Sequence, residues 1–142
     1  MYDKILVPLD GSELAECVIP HVQALAQSRP DAEVTLLYVV EPLEVPGSSP
    51  EFKKKIETEG TTAAREYLQD ISKQLAGIKR VSTEVILGKP ADTIASYADK
   101  IKADIVVMAT HGRTGVRRWF LGSVADKVLH CSVVPVVLIR VL

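Results

Sequence analysis

The residues of this chain that could do chemistry concentrate between Asp104 and Val124. A short apolar run, Ile105 to Met108, is bounded by polar residues and predicts a strand that is buried on both faces. A basic loop that contains glycine follows it, from His111 to Arg118, and Ser123 is then expected to cap a new helix. The amides of Gly122 and Ser123 would point outward beside the positive end of that helix. A strand, a Gly/Arg loop and an uncovered helix N-terminus together predict an anion site, most often one for phosphate.

The loop itself supplies both backbone freedom and cations. Gly112 and Gly115 provide the freedom, and three arginines provide the charge; of these, Arg113 beside Gly112 is the favoured ligand contact. His111 could donate to an anion or satisfy loop carbonyls, and both interpretations stay open. Ser123 with Asp126 also fits a weak capping box, which needs no ligand to explain it.

The spacing of the glycines matches neither common nucleotide signature. The one Gly-Lys pair runs into Pro90 rather than Ser or Thr, and no G-x-G-x-x-G is present. Instead Gly112 is followed by nine residues and then by Gly122-Ser123, with Ala109 three residues before Gly112. This pattern closely resembles the universal stress protein family, whose ATP-binding members carry G-x-x-G, nine residues, then G-[ST].

The resemblance covers the whole chain, from the opening Ile-Leu-Val-Pro-Leu-Asp-Gly-Ser to the closing Pro-Val-Val-Leu-Ile-Arg. Ala109 departs from it, because the family has glycine there. If that position needs a positive φ, alanine costs on the order of 1 kcal/mol. If it is an ordinary strand residue, its methyl group merely narrows the pocket.

Composition bounds the class of protein. A length of 142 residues predicts one domain, 1–142, with a full core. The formal net charge of −1 argues against a general binder of nucleic acid or of anionic membranes. Cys17 and Cys131 form no metal or redox motif. No signal-peptide core or membrane-length apolar run is present, so a cytoplasmic location is expected.

Five apolar, β-branched runs alternate with four helical patterns. The predicted strands are Lys4 to Leu9, Val34 to Val40, Val81 to Leu87, Ile105 to Met108 and Val134 to Arg140. The first helix is expected to begin after Ser12, to continue through Leu25, and to be kinked by Pro20.

Glu41 to Pro50 is expected to be loop, and the second helical pattern is clear from Ala64 onward. Gly60-Thr61-Thr62 is expected to weaken or break the first half of that helix. Pro90 suits the first turn of the third helix, and the fourth is expected over Ser123 to His130.

This alternation predicts an α/β fold, an open five-stranded parallel sheet with helices on both faces. The resemblance supplies the strand order 3-2-1-4-5 and implies the Rossmann-like fold of the adenine nucleotide alpha hydrolases. In that order the first and fourth strands are neighbours where the winding reverses, and ligands of such sheets bind outside their carboxyl ends. Pro8-Leu9-Asp10 would then lie opposite Met108 to His111.

Asp10 ends a buried strand at this switch point. It either forms an Asx-turn before Gly11 or contacts a nucleotide through a ribose hydroxyl or a metal-linked water, as the resemblance favours. Val39, by resemblance, ends the second strand where its backbone reads adenine. The predicted nucleotide-binding residues are Pro8, Leu9, Asp10, Val39, Met108, Ala109, His111, Gly112, Arg113, Gly122, Ser123 and Val124.

The resemblance implies an ATP-binding regulator of the stress response that takes ATP with magnesium and acts through conformation and partner contacts. No carboxylate or glutamine stands at an obvious position to orient a hydrolytic water, so at most slow hydrolysis is expected. One alternative is a stress-protein dimer that acts without nucleotide, and a weaker one is a genuine ATP hydrolase.

The last strand predicts how the chain assembles. The last strand, Val134 to Arg140, is almost wholly apolar from Val134 to Ile139 and lies at a sheet edge in the order 3-2-1-4-5. An uncovered edge of that kind invites pairing. We therefore expect a twofold homodimer in which two last strands pair or pack antiparallel, as the resemblance also implies.

Overall fold

The computed structural model describes residues 2–42, 44–111 and 119–141, with the backbone alone at 111, 119–122 and 141. The strands are β1 (Lys4–Leu9), β2 (Glu33–Val40), β3 (Arg80–Leu87), β4 (Ile105–His111) and β5 (Val136–Val141). The helices are α1 (Glu13–Glu16), α2 (Ile19–Gln27), α3 (Pro50–Lys73), α4 (Pro90–Lys100) and α5 (Trp119–Cys131).

All five strands are parallel and lie in the order β3-β2-β1-β4-β5, which confirms the predicted fold class. Contacts between helices show the two layers that cover the sheet. Tyr67 of α3 donates to Glu16 of α1 on one face, and Lys127 of α5 pairs with Asp92 of α4 on the other. The first three helices therefore cover one face and the last two cover the opposite face, as right-handed crossovers require.

The seam between β1 and β4 is the shortest pairing in the sheet. β1 pairs with β2 over all six of its residues, but it pairs with β4 only through Ile5↔Ile105 and Leu6↔Val106. The amino end of the seam is fastened by Asp104, whose Oδ2 accepts from the amides of Asp3 and Lys4 at 3.0 and 2.9 Å. The two strands consequently part toward their carboxyl ends and open a crevice there.

The core is built on the two central strands. Leu6 and Val7 of β1 and Val106, Val107 and Met108 of β4 have no accessible surface, as expected of strands covered by helices on both faces. In the part of the chain that the structure describes, no helix has both the length and the apolar character that crossing a membrane requires.

The expectation of one kinked first helix is wrong. The chain forms two helices instead, with α1 ending at Glu16 and α2 beginning at Ile19. Pro20 is the second residue of α2, a position whose amide has no partner within the helix in any case. The proline therefore begins a helix rather than bending one.

The expected break at Gly60-Thr61-Thr62 is also wrong, because α3 is continuous over 24 residues from Pro50, the residue predicted to end the loop. Its N-terminus is capped by Ser49, whose side chain accepts from the amide of Phe52. A Cβ added at Gly60 would lie 3.6 Å from Val40 Cγ1, so the glycine lies close to the end of β2. One glycine costs a helix only about 1 kcal/mol, which the packing of α3 on the sheet outweighs.

The fourth predicted helix begins earlier than expected, at Trp119 rather than after Ser123. Apolar residues continue the helical spacing backward from the predicted start; they are Leu121, Val124, Ala125 and Val128. β5 begins at Val136 rather than Val134, because Ser132 Oγ bonds both the carbonyl and the amide of Val134 and turns the chain first.

Candidate functional site

A crevice lies at the carboxyl ends of β1 and β2, where α4 and α5 cover the sheet. Its walls are apolar except for one carboxylate, and they are formed by Pro8, Leu9, Asp10, Leu37, Val39, Pro90, Ile94 and Val124. Its position beside the β1–β4 seam is the switch point that the strand order predicts.

Five of the predicted site residues line this crevice: Pro8, Leu9, Asp10, Val39 and Val124. Sequence reasoning missed three others, Leu37, Pro90 and Ile94. Leu37 lies two residues before Val39 and therefore on the same face of β2, a signal that was available. Pro90 and Ile94 required knowing which strand ends α4 covers as it crosses back over the sheet.

Met108 and Ala109 end the buried part of β4 and are not among the residues that line the crevice. Ala109 is 1% exposed and pairs with Ile139 of β5. Positive φ angles among the described non-glycine residues occur at Tyr2 and Lys102. Ala109 therefore has ordinary strand backbone, and alanine is not strained at the position where the family has glycine.

The predicted anion loop is described only at its two ends. His111 closes β4, and its side chain lies outside the described residues, as do Gly112 and Arg113 altogether. Gly122 and Ser123 are the fourth and fifth residues of α5. Amides in the first turn of a helix have no partner within it, and the first turn of α5 begins at Trp119. That the amides of Gly122 and Ser123 face a ligand stays a prediction.

Asp10 forms the Asx-turn before Gly11 that was one of the two alternatives predicted from the sequence. Its Oδ1 accepts from the Ser12 amide at 2.9 Å and from Ser12 Oγ at 2.5 Å. The buried Ser12 Oγ in turn accepts from the amide of Ala15 and caps α1. Within the described part of the chain, Asp10 Oδ2 makes no hydrogen bond. The turn thus uses one carboxylate oxygen and leaves the other for a ligand.

The backbone of Val39 offers a second polar group. The Val40 carbonyl accepts from the Gly88 amide at 3.0 Å, so it points toward the β3 side. Successive carbonyls of a strand point to opposite sides, and the carbonyl of Val39 therefore points toward the β1 side. β1 has already ended there at Leu9. An acceptor is directed into the space beyond the strand, next to the crevice that Val39 lines.

A second, more open cavity adjoins the crevice and shares Asp10 and Val39 with it. It is also lined by Tyr38, Val40, Glu41 and Gly60. Tyr38 lies between Leu37 and Val39 in β2, and its side chain therefore points to the face that α1 and α3 cover. Asp10 stands at the boundary between the two spaces.

Two tyrosines fill the α1–α3 side of this boundary. The rings of Tyr38 and Tyr67 pack edge to face, with centroids 5.8 Å apart and planes at 79°. Burial raises the pKa of Tyr38, and the Asp10 charge adds to that rise. The pKa of Tyr67 is raised much further, first by burial and then by its hydrogen bond to Glu16 and by nearby charges. Both phenols are therefore neutral donors at ordinary pH.

The fold and the crevice define an open, parallel α/β protein of the Rossmann-like class, whose ligands bind at the switch point. Residues 1–140 match the model of the universal stress protein family, and the chain belongs to that family.

The relatives match the chain over nearly its whole length. It is 38% identical to a universal stress protein of Methanothermobacter thermautotrophicus, with 99% of this chain and 97% of that protein covered. It is 37% identical to the universal stress protein MJ0531 of Methanocaldococcus jannaschii, with 96% and 82% covered. The solved structure of the hypothetical protein MJ0577 superposes with a TM-score of 0.86 at 33% identity, covering 100% of this chain and 98% of that one.

The raised pKa of Tyr67 predicts how stability depends on pH. Below about pH 10 the phenol is protonated in both the folded and the unfolded chain, so its full contribution to stability is present. Above that pH the unfolded chain loses the proton while folded Tyr67 keeps it, and stability falls as pH rises toward the higher folded pKa. Tyr67→Phe should therefore make the urea midpoint less sensitive to pH between about 9 and 11. An unchanged slope in the variant would show that Tyr67 is not the group responsible.

Proposed function

We propose that this universal stress protein binds ATP in the crevice beside the β1–β4 seam and acts as a stress-response regulator through conformation and partner contacts. The observation that carries the proposal is the apolar crevice with a single carboxylate at the switch point. Universal stress proteins of the same fold have been solved with cAMP and with dAMP, at 19% and 21% identity to this chain. Those complexes support an adenine nucleotide as the class of ligand.

We place the base against the apolar wall of the crevice. Leu37, Ile94 and Val124 provide apolar walls for a flat aromatic ring. The hydrophobic effect favours burial of these side chains by the base. The carbonyl of Val39 would accept a hydrogen bond from the amino group of adenine. Hypoxanthine and guanine place a carbonyl oxygen at that position, so the same acceptor would face another acceptor.

The ribose falls beside Asp10 when the base lies against Val39, because both residues border the same end of the crevice. A ribose hydroxyl can then donate to the Oδ2 atom that the turn leaves unused. Magnesium is commonly held by phosphates and one or two carboxylates, and Asp10 is the carboxylate in reach. The phosphates would extend toward α5, where the amides of the first turn and the helix dipole favour anions. Gly112 and Arg113 are expected to complete the phosphate site there.

Calorimetric titration tests the base and ribose contacts. We expect ATP to bind at least about tenfold more tightly than ITP, since ITP leaves the Val39 carbonyl opposed by an acceptor. Asp10→Asn preserves the oxygen that Ser12 bonds but removes the charge. The variant should bind ATP about fivefold more weakly than the wild type does. The loss of affinity should be smaller for 2′-deoxy-ATP or for 3′-deoxy-ATP, whichever lacks the hydroxyl that donates to Asp10.

Asp31→Asn is the matched control, because it removes the same charge from an exposed site at the other end of the sheet. It should leave every affinity unchanged. A folded wild-type protein that binds none of these nucleotides would overturn the ATP proposal and would favour the dimer that acts by protein contacts alone.

We propose further that nucleotide binding is not accompanied by useful turnover. Phosphoryl transfer requires a group that orients the attacking water, and the proposed pose uses Asp10, the carboxylate of the crevice wall, for the ribose and the metal instead. A phosphate-release assay with excess ATP and magnesium should give less than about one turnover per second. Faster, sustained release that Asp10→Ala abolishes would establish an ATP hydrolase instead.

The proposed regulator works as a cytoplasmic homodimer joined through its last strands. β5 pairs with β4 on one side and forms an edge of the five-stranded sheet. Val137, the second residue of that strand, is 36% exposed, although edge strands usually carry charges that block pairing. A twofold axis beside β5 would pair or pack two such strands antiparallel.

Val137→Lys should shift the protein from dimer to monomer, because it places a charge on the exposed apolar edge that would pair. Light scattering should give twice the chain mass of 15.5 kDa for the wild type and values near a single chain for the variant. Val45→Lys changes another exposed valine, in the loop before α3, and should leave the dimer intact. A wild-type monomer at micromolar concentration would refute this assembly.

A further inference from the structure

The Asp10–Gly11 turn is held from the side opposite the crevice. Tyr38 Oη donates to the carbonyl oxygen of Asp10 at 3.2 Å. Gly11 follows with a φ of +84°, and a Cβ added to it would lie 3.3 Å from the same Oη atom. The phenol therefore fits closely against a turn that only glycine adopts without strain.

Tyr38 is itself fixed by elements other than the turn. It belongs to β2, which pairs with β1 and with β3, and its ring packs against Tyr67 of α3. Tyr67 donates to Glu16 of α1 at 2.8 Å. α1 begins directly after the turn. The backbone at Asp10 and the helix that follows it therefore contact the same pair of rings, Tyr38 and Tyr67.

This arrangement constrains the carboxylate without touching the crevice. Ser12 orients Oδ1 of Asp10 through two hydrogen bonds, but those bonds lie within the turn and would move with it. The hydrogen bond from Tyr38 joins the turn to the sheet. Tyr38 is not among the residues that line the crevice, but it lines the adjoining cavity together with Asp10 and Val39. Its contact with the turn at Asp10 is therefore the route by which it would act on a ligand in the crevice.

We propose that Tyr38 is a positioning residue that holds the Asp10 carboxylate within hydrogen-bond distance of the ribose. The site would thereby discriminate between ATP and its deoxy analogues. The proposal rests on the proposed nucleotide function, because it needs a ribose beside Asp10. It assigns a specificity role to a hydroxyl on the far face of the sheet.

Tyr38→Phe tests this role because it keeps the ring and its packing while removing the donor. Calorimetric titration of the wild type and the variant with ATP, with the deoxy-ATP that the wild type discriminates against, and with tripolyphosphate separates the ends of the ligand. We expect the variant to bind ATP about threefold more weakly while its affinities for the deoxy analogue and for tripolyphosphate stay unchanged. The ratio of ATP to deoxy-ATP affinity is a quantity that a general loss of stability does not alter selectively.

A double-mutant cycle with Asp10→Asn shows whether the effect passes through the carboxylate. If Tyr38 acts through Asp10, the double variant should bind ATP no more weakly than Asp10→Asn alone. Additive losses would overturn the proposal, as would equal losses for all three ligands or an unchanged ratio in Tyr38→Phe.

Tyr97→Phe is the matched control, since it removes the hydroxyl of a partly buried tyrosine that lines neither the crevice nor the adjoining cavity. It should leave the ratio at its wild-type value, and a change as large as that of Tyr38→Phe would overturn the proposal. A wild type that binds none of the ligands would remove the nucleotide function together with this inference. A wild type that discriminates, paired with a Tyr38→Phe variant that discriminates equally, would remove this inference alone.

Discussion

The reversal of winding at β1 is the constraint on which the rest of the structure depends. The chain adds β2 and β3 on one side of β1 and then returns to add β4 and β5 on the other. The connections that follow β1 and β4 therefore leave the carboxyl ends of these neighbouring strands in opposite directions. Because β1 and β4 pair at only two positions near their amino ends, they part where the helices diverge. The crevice is therefore a consequence of topology, and its residues need only be apolar enough to line it and polar at one point.

That polar point shows how a turn can serve two purposes. Asp10 satisfies the start of α1 with one oxygen through Ser12, and this bond fixes the direction of the other oxygen. A carboxylate on a free loop would have to lose conformational freedom on binding, whereas here folding has already incurred that cost. The neutral tyrosine on the opposite face adds a constraint from the sheet, so local stability and ligand geometry depend on the same few atoms.

The sequence predicted the sheet well because strand burial depends on local composition. The bounds of β1 are those expected, and β2 and β3 each begin one residue earlier. Helix ends were harder. Pro20 and Gly60 both looked like breaks, yet a proline is harmless in a first turn and a glycine is tolerated where a strand approaches. The site was predicted where strand ends form it, at Pro8 to Asp10 and Val39, and missed where α4 crosses over it, since Ile94 reaches the crevice only through tertiary structure.

The short pairing between β1 and β4 also bears on how the chain opens. The sheet has the fewest backbone pairings between β1 and β4, so we expect local opening to begin there and to separate β1, β2 and β3 from β4 and β5. The hydrogen bonds of Asp104 hold the amino ends of these two strands together, so such an opening would be a hinge at that end. A molecule bound between the separated strand ends would contact both groups of strands and restrict this opening. Its release would allow the strands to open further again.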